Sequence, residues 1–398
     1  MSFINILEIL FWICILLVFY TFIGYGILLY FLVKIKEILR KPSIRTEPKD
    51  WPEVTLFIAA YNEEAIVDAK MDNCLQLDYP PHKLKILWIT DGSKDQTNEK
   101  LAHYPQATVY HIPQRKGKTA ALNRGIQFVK TPFVVYTDAN TMLNREAIKE
   151  IVKEFSDPRI GCVAGEKRIA VDEKDQAAAG GEGFYWTYES KLKEWDSRLY
   201  SAVGAAGELF AIRTSLFENM PEDTLLDDFI LSMRIAQKGY KIAYCKSAYA
   251  LEKGSADIQN EEKRKIRIAA GGLQSIKRLG NLLVPNPFHL GLLRFQYISH
   301  RVLRWSVTPV ALFLLPLLNI GLVALYPKSV YNILLVLQIL FYILAFGGAL
   351  LQQKKIKIKI LFIPYYFLFM NINVLKAFFL QNKYKGKGTW EKARRIQG

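Results

Sequence analysis

Apolar residues follow two different patterns along this chain. In residues 6–33 they run almost without a break, and they do so again in residues 303–326, 330–351 and 360–380. Crossing the hydrocarbon core of a bilayer takes roughly 20 such residues, so the first three stretches predict membrane-crossing helices. The last is interrupted by Pro364 and carries Asn371 and Asn373. Two readings stay open: a full crossing, which puts the tail from Lys383 to Arg395 outside, or a kinked or re-entrant segment, whose irregular backbone has to be buried in protein. Between about Val54 and Lys253 the pattern changes to short apolar runs at residues 54–59, 84–89 and 133–137. Segments with helical spacing separate them, such as residues 144–155 with Asn144 as N-cap. This alternation predicts βαβ units around a mostly parallel sheet.

Residues 288–304 mix Arg294, His300, Arg301 and Arg304 with Leu, Phe, Tyr and Val, a composition suited to an amphipathic helix lying in the membrane interface. The chain therefore divides into an anchor (1–40), an α/β domain (50–270), an interfacial segment (284–304), C-terminal membrane segments (305–381) and a basic tail (382–398).

Hydrophobic residues make up 51% of the 398 positions, high for a soluble protein and low for one wholly inside a membrane. The net charge of +16 fits either nucleic acid or membrane orientation. Its distribution favours the second. Lys34, Lys36, Arg40 and Lys41 follow the first apolar stretch, and Lys354, Lys355, Lys357 and Lys359 follow another. A cleaved leader would begin with its basic segment and have a shorter apolar region. Here the cations come after, which predicts a retained anchor with the α/β domain in the cytosol, in a multi-pass protein of the plasma (inner) membrane. The same bias draws the Lys- and Arg-rich tail inside. No nucleic-acid module is legible, and no nucleic-acid partner is expected. Cys14, Cys74, Cys162 and Cys245 are too scattered for a zinc or redox site and suit a reduced core. The five histidines are scattered too, and structural roles are expected for them.

Chemistry concentrates where apolar runs end in acids. In open α/β sheets ligands bind beyond the carboxyl ends of the strands. Asp138-Ala139-Asn140 closes one run; it is either a strand-ending turn or a pair of oxygens able to share a hard cation or a ribose–metal unit. Another run meets Tyr61-Asn62-Glu63-Glu64, where Tyr61 and Glu63 suit a nucleobase, while Asn62 suits an N-cap with Glu63 and Glu64 on the helix dipole. Asp91-Gly92 ends a third run as a turn or as an acceptor for the imide hydrogen of uracil. Lys116-Gly117-Lys118 precedes a helical segment, where a lysine meets phosphate oxygens or simply solvent. The small-residue turn ending in Gly207-Glu208 lets backbone approach a sugar. Asp227-Asp228 at a helix start is favoured by the dipole and could hold a general base, one acid raising its neighbour's pKa. Arg264 and Arg267 are placed to neutralise a leaving diphosphate or to form a membrane-surface patch.

In this order the elements from Val54 to Arg267 resemble the family 2 glycosyltransferases with the GT-A fold, and the flanking apolar stretches resemble those of the family's membrane-bound polysaccharide synthases. The resemblance implies a Rossmann-like, mostly parallel mixed sheet, a nucleotide-sugar donor (a UDP-sugar foremost), a divalent metal (Mg or Mn) and inverting displacement. It implies Tyr61, Glu63, Asp91, Lys118, Asp138 and Arg267 as donor-binding, and Asp138 with Asn140 as metal ligands. Asn140 stands where many members carry an acid and brings an oxygen without its charge. Asp228 would be the base, with Asp227 beside it; Gly207, Glu208 and Arg264 would face the acceptor. The Gln-x-x-Arg-Trp motif of processive members appears here as Arg264-Lys265-Ile266-Arg267-Ile268, without its Gln and Trp. The expected partners are the donor, a lipid-linked or polysaccharide acceptor and membrane lipids. Single-sugar transfer to a lipid carrier and a non-catalytic membrane scaffold are the alternatives.

Overall fold

The computed structural model of the protein describes residues 2–39, 45–170, 180–253, 258–284, 291–353, 358–384 and 386. Arg40, Lys41, Lys354, Lys355 and Lys357, part of the interfacial segment (285–290) and residues 387–398 of the basic tail lie outside the described residues.

Helix α1 (Phe3–Leu39) contains one π-helical turn at Tyr20–Gly24. Its buried positions Phe11, Cys14, Thr21, Tyr25, Leu29 and Val33 share one face. The upper part of that face packs on Ala311, Leu315, Leu322 and Tyr331, and the lower part on Leu192 and Leu199. Ile9, Leu16, Phe31 and Ile35 point outward and are exposed, as expected of a helix whose surrounding solvent is lipid.

Next come β1 (Val54–Ala60), α2 (Val67–Leu75), β2 (Leu84–Asp91), α3 (Thr97–Leu101), β3 (Ala107–Ile112), α4 (Lys118–Gly125) and β4 (Phe133–Asp138). They are followed by β5 (Thr141–Leu143), α5 (Ala147–Glu154), β6 (Ile160–Ala170), α6 (Gly180–Leu199), β7 (Leu209–Arg213), α7 (Asp227–Gln237) and β8 (Lys241–Lys253). The eight strands form one sheet in the order β3-β2-β1-β4-β7-β6-β8-β5. β1 to β4 pair in parallel, as do β6 and β8, while β7 runs antiparallel between β4 and β6. The expected mixed, mostly parallel sheet is therefore present. Its register is the feature that matters for the site. Ala60 pairs with Thr90, and Ala59 with Asp138, so the acids that end β2 and β4 and the residues after β1 emerge at one edge. Both faces are covered, one by Met71, Ile148 and Ile151, the other by Ala121, Leu122, Ile230 and Met233.

The remaining α-helices of seven residues or more are α8 (Ile258–Arg278), α9 (Gly291–Tyr297), α10 (Val307–Leu325), α11 (Ser329–Gln353) and α12 (Lys359–Tyr384). Among the described residues, four helices are long and apolar enough to cross a membrane: α1, α10, α11 and α12. α12 runs through Pro364 as one continuous helix. The proline stands early in α12, where its missing N–H removes one backbone bond near a helix end that is already short of partners.

Two expected caps also differ. The cap position of α2 is Ile66, with no side-chain bond. Asn62 lies five residues before the helix at φ 52, and its Oδ1 accepts the Lys94 amide at 2.9 Å. Glu64 accepts the Gln96 amide at 2.9 Å, so this loop organises the next loop rather than its own helix. Asn144 does not cap α5, whose cap position is Glu146. Its side chain instead accepts the Tyr249 amide and donates to the Ser247 carbonyl, tying β5 to β8. In both cases the side-chain oxygen meets a distant amide that would otherwise go unpaired.

Among the described residues of this segment, Gln296, His300 and Arg304 turn inward. His300 is fully buried, with Nδ1 2.5 Å from Asp196 and Nε2 3.3 Å from Glu189, both on α6. Arg301 and Arg304 pair with Glu189 at 2.6 and 3.1 Å, and Tyr25 of α1 donates to Asp196. Burial raises the cost of charge on Glu189, but Arg301 and His300 outweigh it and hold the carboxyl well below the usual range. Glu189→Gln takes from Arg301 and Arg304 the carboxylate they share, and breaking a buried pair on one side costs about 3–5 kcal/mol. A large drop in the thermal midpoint is expected; an unchanged midpoint would mean the network contributes little.

Candidate functional site

The loops beyond β1, β2 and β4 form two adjoining groups. The first surrounds Asp91, which is buried. Its Oδ2 accepts the amides of Lys116 (2.9 Å) and Gly117 (2.6 Å). Its Oδ1 takes no hydrogen bond among the described residues and lies 3.6 Å from Arg124 Nη1. The Arg115 guanidinium stacks 3.8 Å from the Tyr61 ring centre, and the Glu63 amide donates to Thr97. Asp91 therefore positions the 116–117 backbone as well as presenting one oxygen.

The second group begins one residue later. Gly117, at φ 100, turns the chain so that Lys118 opens α4. Lys118 Nζ lies 2.7 Å from Asp138 Oδ1 and 3.8 Å from Asp227 Oδ2. That Asp227 oxygen is buried and takes no hydrogen bond among the described residues. A Cβ on Gly207 would sit 3.2 Å from Lys118 Nζ and 3.4 Å from Asp228 Oδ2, so the bare backbone there leaves room for both. Burial opposes the charge on Lys118, yet Asp138 and Asp227 outweigh it and hold its pKa above the ordinary lysine value. Asp228 goes the other way. Burial and the negative charge of Asp227 push its carboxyl up to about 7, inside the range useful to a general base. Arg267 of α8 is held below the usual arginine value, first by burial and then by Arg264, while Asp227, Asp138 and Asp228 partly restore it.

Glu208 adjoins this group through its backbone, its carbonyl accepting from Thr137 at 3.0 Å. Its carboxylate pairs with Lys167, which also pairs with Glu252. Arg264 lies 3.9 Å from Glu252 and 3.3 Å from Glu261. Lys118, Asp138, Asp227, Asp228, Gly207 and Arg267 thus share one electrostatic site. Tyr61, Glu63 and Asp91 belong to the adjoining group, and Glu208 and Arg264 to the flank toward α8. The sequence reading missed Lys167, Glu252, Arg115, Arg124 and Lys70. Lys70 is fully buried beneath β4, donating to the Thr141 carbonyl (2.6 Å) and Thr137 (3.2 Å). A lysine on a helix carries no sequence signal of such burial.

No three His, Cys, Asp or Glu side chains cluster at metal-ligating spacing among the described residues. Asp138 and Asn140 nevertheless carry hard oxygens of the kind that Mg2+ takes, and one or two protein ligands suffice for a cation that keeps several waters.

Acids at the carboxyl ends of parallel strands, a lysine at a helix start and a mixed sheet flanked by long apolar helices make up a GT-A-like arrangement. Residues 55–220, within the α/β domain, match the family model described as glycosyl transferase family 2, and that domain indicates a glycosyltransferase. A poly-beta-1,6-N-acetyl-D-glucosamine synthase of Staphylococcus aureus is 27% identical over 293 residues, covering 70% of this chain and 68% of the relative. The synthase of the same name from Staphylococcus epidermidis is 25% identical over 264 residues, covering 64% and 62%. Among solved structures, the mannosyltransferase PcManGT from Pyrobaculum calidifontis, in complex with GDP-Man and Mn2+, shares the fold. Its TM-score is 0.68 at 23% identity, covering 94% of this chain and 99% of that one.

Proposed function

We propose that the protein transfers a sugar from a nucleotide-sugar, a UDP-sugar foremost, to a polysaccharide or lipid-linked acceptor by inverting displacement at the cytosolic face of the plasma membrane. The observation that carries this is the placing of Asp228, with its raised pKa, beside the Lys118–Asp138 pair. Asp228 takes the acceptor hydroxyl's proton as the oxygen attacks the anomeric carbon. Lys118 and Arg267 face the diphosphate as its charge develops, the preorganised electrostatic stabilisation that dominates many such reactions. Tyr61, Glu63 and Asp91 hold the nucleoside. Asp138 and Asn140 would hold the divalent cation, which when bound would supply further positive charge to the diphosphate. Gly207, Glu208 and Arg264 line the acceptor side.

The polysaccharide reading draws on the similarity to the staphylococcal synthases. Single-sugar transfer to a lipid carrier draws on Ile268, which stands where processive members have Trp. Incubating membranes that carry the protein with a panel of labelled nucleotide-sugars, then sizing the products, tests both. A ladder supports polymerisation and a single lipid-soluble product supports one-sugar transfer. Loss of label from no donor would overturn the reading.

A further inference from the structure

The turn that carries Asp138 is held from beneath by a buried cation that the site as described does not use. Lys70 lies on α2 and is fully buried. Its Nζ donates to the Thr141 carbonyl at 2.6 Å and to Thr137 Oγ1 at 3.2 Å. These two acceptors stand on either side of Asp138-Ala139-Asn140, one near the end of β4 and one at the start of β5. The ammonium therefore joins the two ends of the turn. Two hydroxyls extend the connection. Thr141 Oγ1 donates to the Asp138 carbonyl at 3.0 Å, and Thr137 Oγ1 donates to the Glu208 carbonyl at 3.0 Å. Thr137, Ala139 and Thr141 are all buried, so these bonds are made away from water.

Packing alone does not call for a charge here. An ammonium taken from water is costly unless its donors are satisfied, and a methionine would fill similar space. Nor does β5 need Lys70 to stay on α2. One helical turn further on, Asn73 Nδ2 donates to the Leu143 carbonyl and Asn73 Oδ1 accepts the Leu143 amide, both at 2.8 Å. That pair anchors the strand. What Lys70 adds lies at the turn, whose acid reaches the other way to Lys118 at 2.7 Å. Hydrogen bonds from a charged donor are stronger than neutral ones, and a side chain that has to meet a ligand needs its own support locked in place.

We infer that Lys70 is a positioning residue of the donor site: bonded to both ends of the turn, it fixes the Asp138 carboxylate beside Lys118, where the donor's diphosphate is received. Lys70 touches no substrate and acts through Asp138. The inference rests on the glycosyltransferase reading and deepens it, and the experiment separates failure of one from failure of the other.

The test is a double-mutant cycle on the full-length, detergent-solubilised protein: wild type, Lys70→Met, Asp138→Ala and the double variant. Each is titrated calorimetrically with whichever of UDP, UDP-N-acetylglucosamine and GDP-mannose binds the wild type. Expected is about tenfold weaker binding in Lys70→Met, the scale of a lost hydrogen bond from a charged donor. Added to Asp138→Ala, the same substitution should cost no more than about a further twofold, because both act through one carboxylate. A residue that only held the fold together would add its loss to that of Asp138→Ala. Additive losses therefore overturn the inference, as does unchanged donor affinity in Lys70→Met. Asn73→Ala loosens β5 beyond the turn and is expected to keep donor affinity within about twofold; a loss equal to that of Lys70→Met would trace the effect to the packing of β5 and overturn the inference. Should Lys70→Met not fold, Thr137→Val takes its place in the cycle. It removes one acceptor of the ammonium, and about threefold weaker, non-additive binding is expected; unchanged or additive affinity overturns the inference. A wild type that binds none of the three probes would overturn the glycosyltransferase reading, and the inference with it.

Discussion

Asp228→Asn is expected to lower sugar transfer by about 10²–10⁴-fold, the usual worth of a positioned general base, with donor affinity changed by no more than a small factor. The substitution keeps the shape of the side chain and the hydrogen bond that Oδ1 accepts from its neighbour Phe229 at 2.8 Å. Because the carboxyl is pushed up to about 7, first by burial and then by Asp227, kcat/KM of the wild type should rise with pH through about 7 and level off above it. The same shift has a stability consequence of definite sign. The folded carboxyl holds its proton more tightly than the unfolded one, so Asp228 contributes stability below its unfolded pKa of about 4 and loses that contribution as pH rises to about 7. Asp228→Asn is not subject to that loss and should therefore melt higher than wild type at pH 8. Transfer at the wild-type rate, or a flat pH profile, would remove Asp228 as base.

Asp138→Ala is expected to weaken nucleotide-sugar binding by at least about tenfold, or about 1.4 kcal/mol. It removes the carboxylate oxygen 2.7 Å from Lys118 together with one of the two hard oxygens available to a divalent cation. Lys118 would be left with Asp227 at 3.8 Å, and that new pairing would draw its ammonium away from the diphosphate. The register of β4 against β1 and β7 does not depend on this side chain, so the thermal midpoint should hold. Donor titrations with and without Mn2+ check both parts. Unchanged donor affinity in the variant would separate Asp138 from the donor site.

The strands that carry these residues were legible because a buried parallel strand is a continuous apolar run and an acid at its end has no packing reason to be there. Asp91 and Asp138 announced themselves in that way, and Asp227 and Asp228 as acids at a helix start. The other half of the sheet was not legible. β6 holds Gly161 and Gly165 and shifts register against β8 at two points, so its apolar periodicity is broken although 11 residues are extended. Asn62 and Asn144 looked like caps because local amides are all a sequence displays; each went to an amide 32 or 105 residues away. The His300–Asp196 and Arg304–Glu189 contacts join positions 104 and 115 apart, and an amphipathic segment facing a membrane has the same composition as one facing buried acids. Pro364 leaves a full crossing and a kinked segment both open in the sequence; the helix is continuous through it, because the cost of a proline depends on how far along a helix it stands.

The most direct measurement is equilibrium titration of the purified protein with nucleotide-sugars in the presence of Mn2+. Saturable binding of at least one donor, displaced by the matching nucleoside diphosphate and weakened in Asp138→Ala, is the expected result. Binding of none, or binding indifferent to Asp138, would contradict a donor site at the shared edge of β1, β2 and β4.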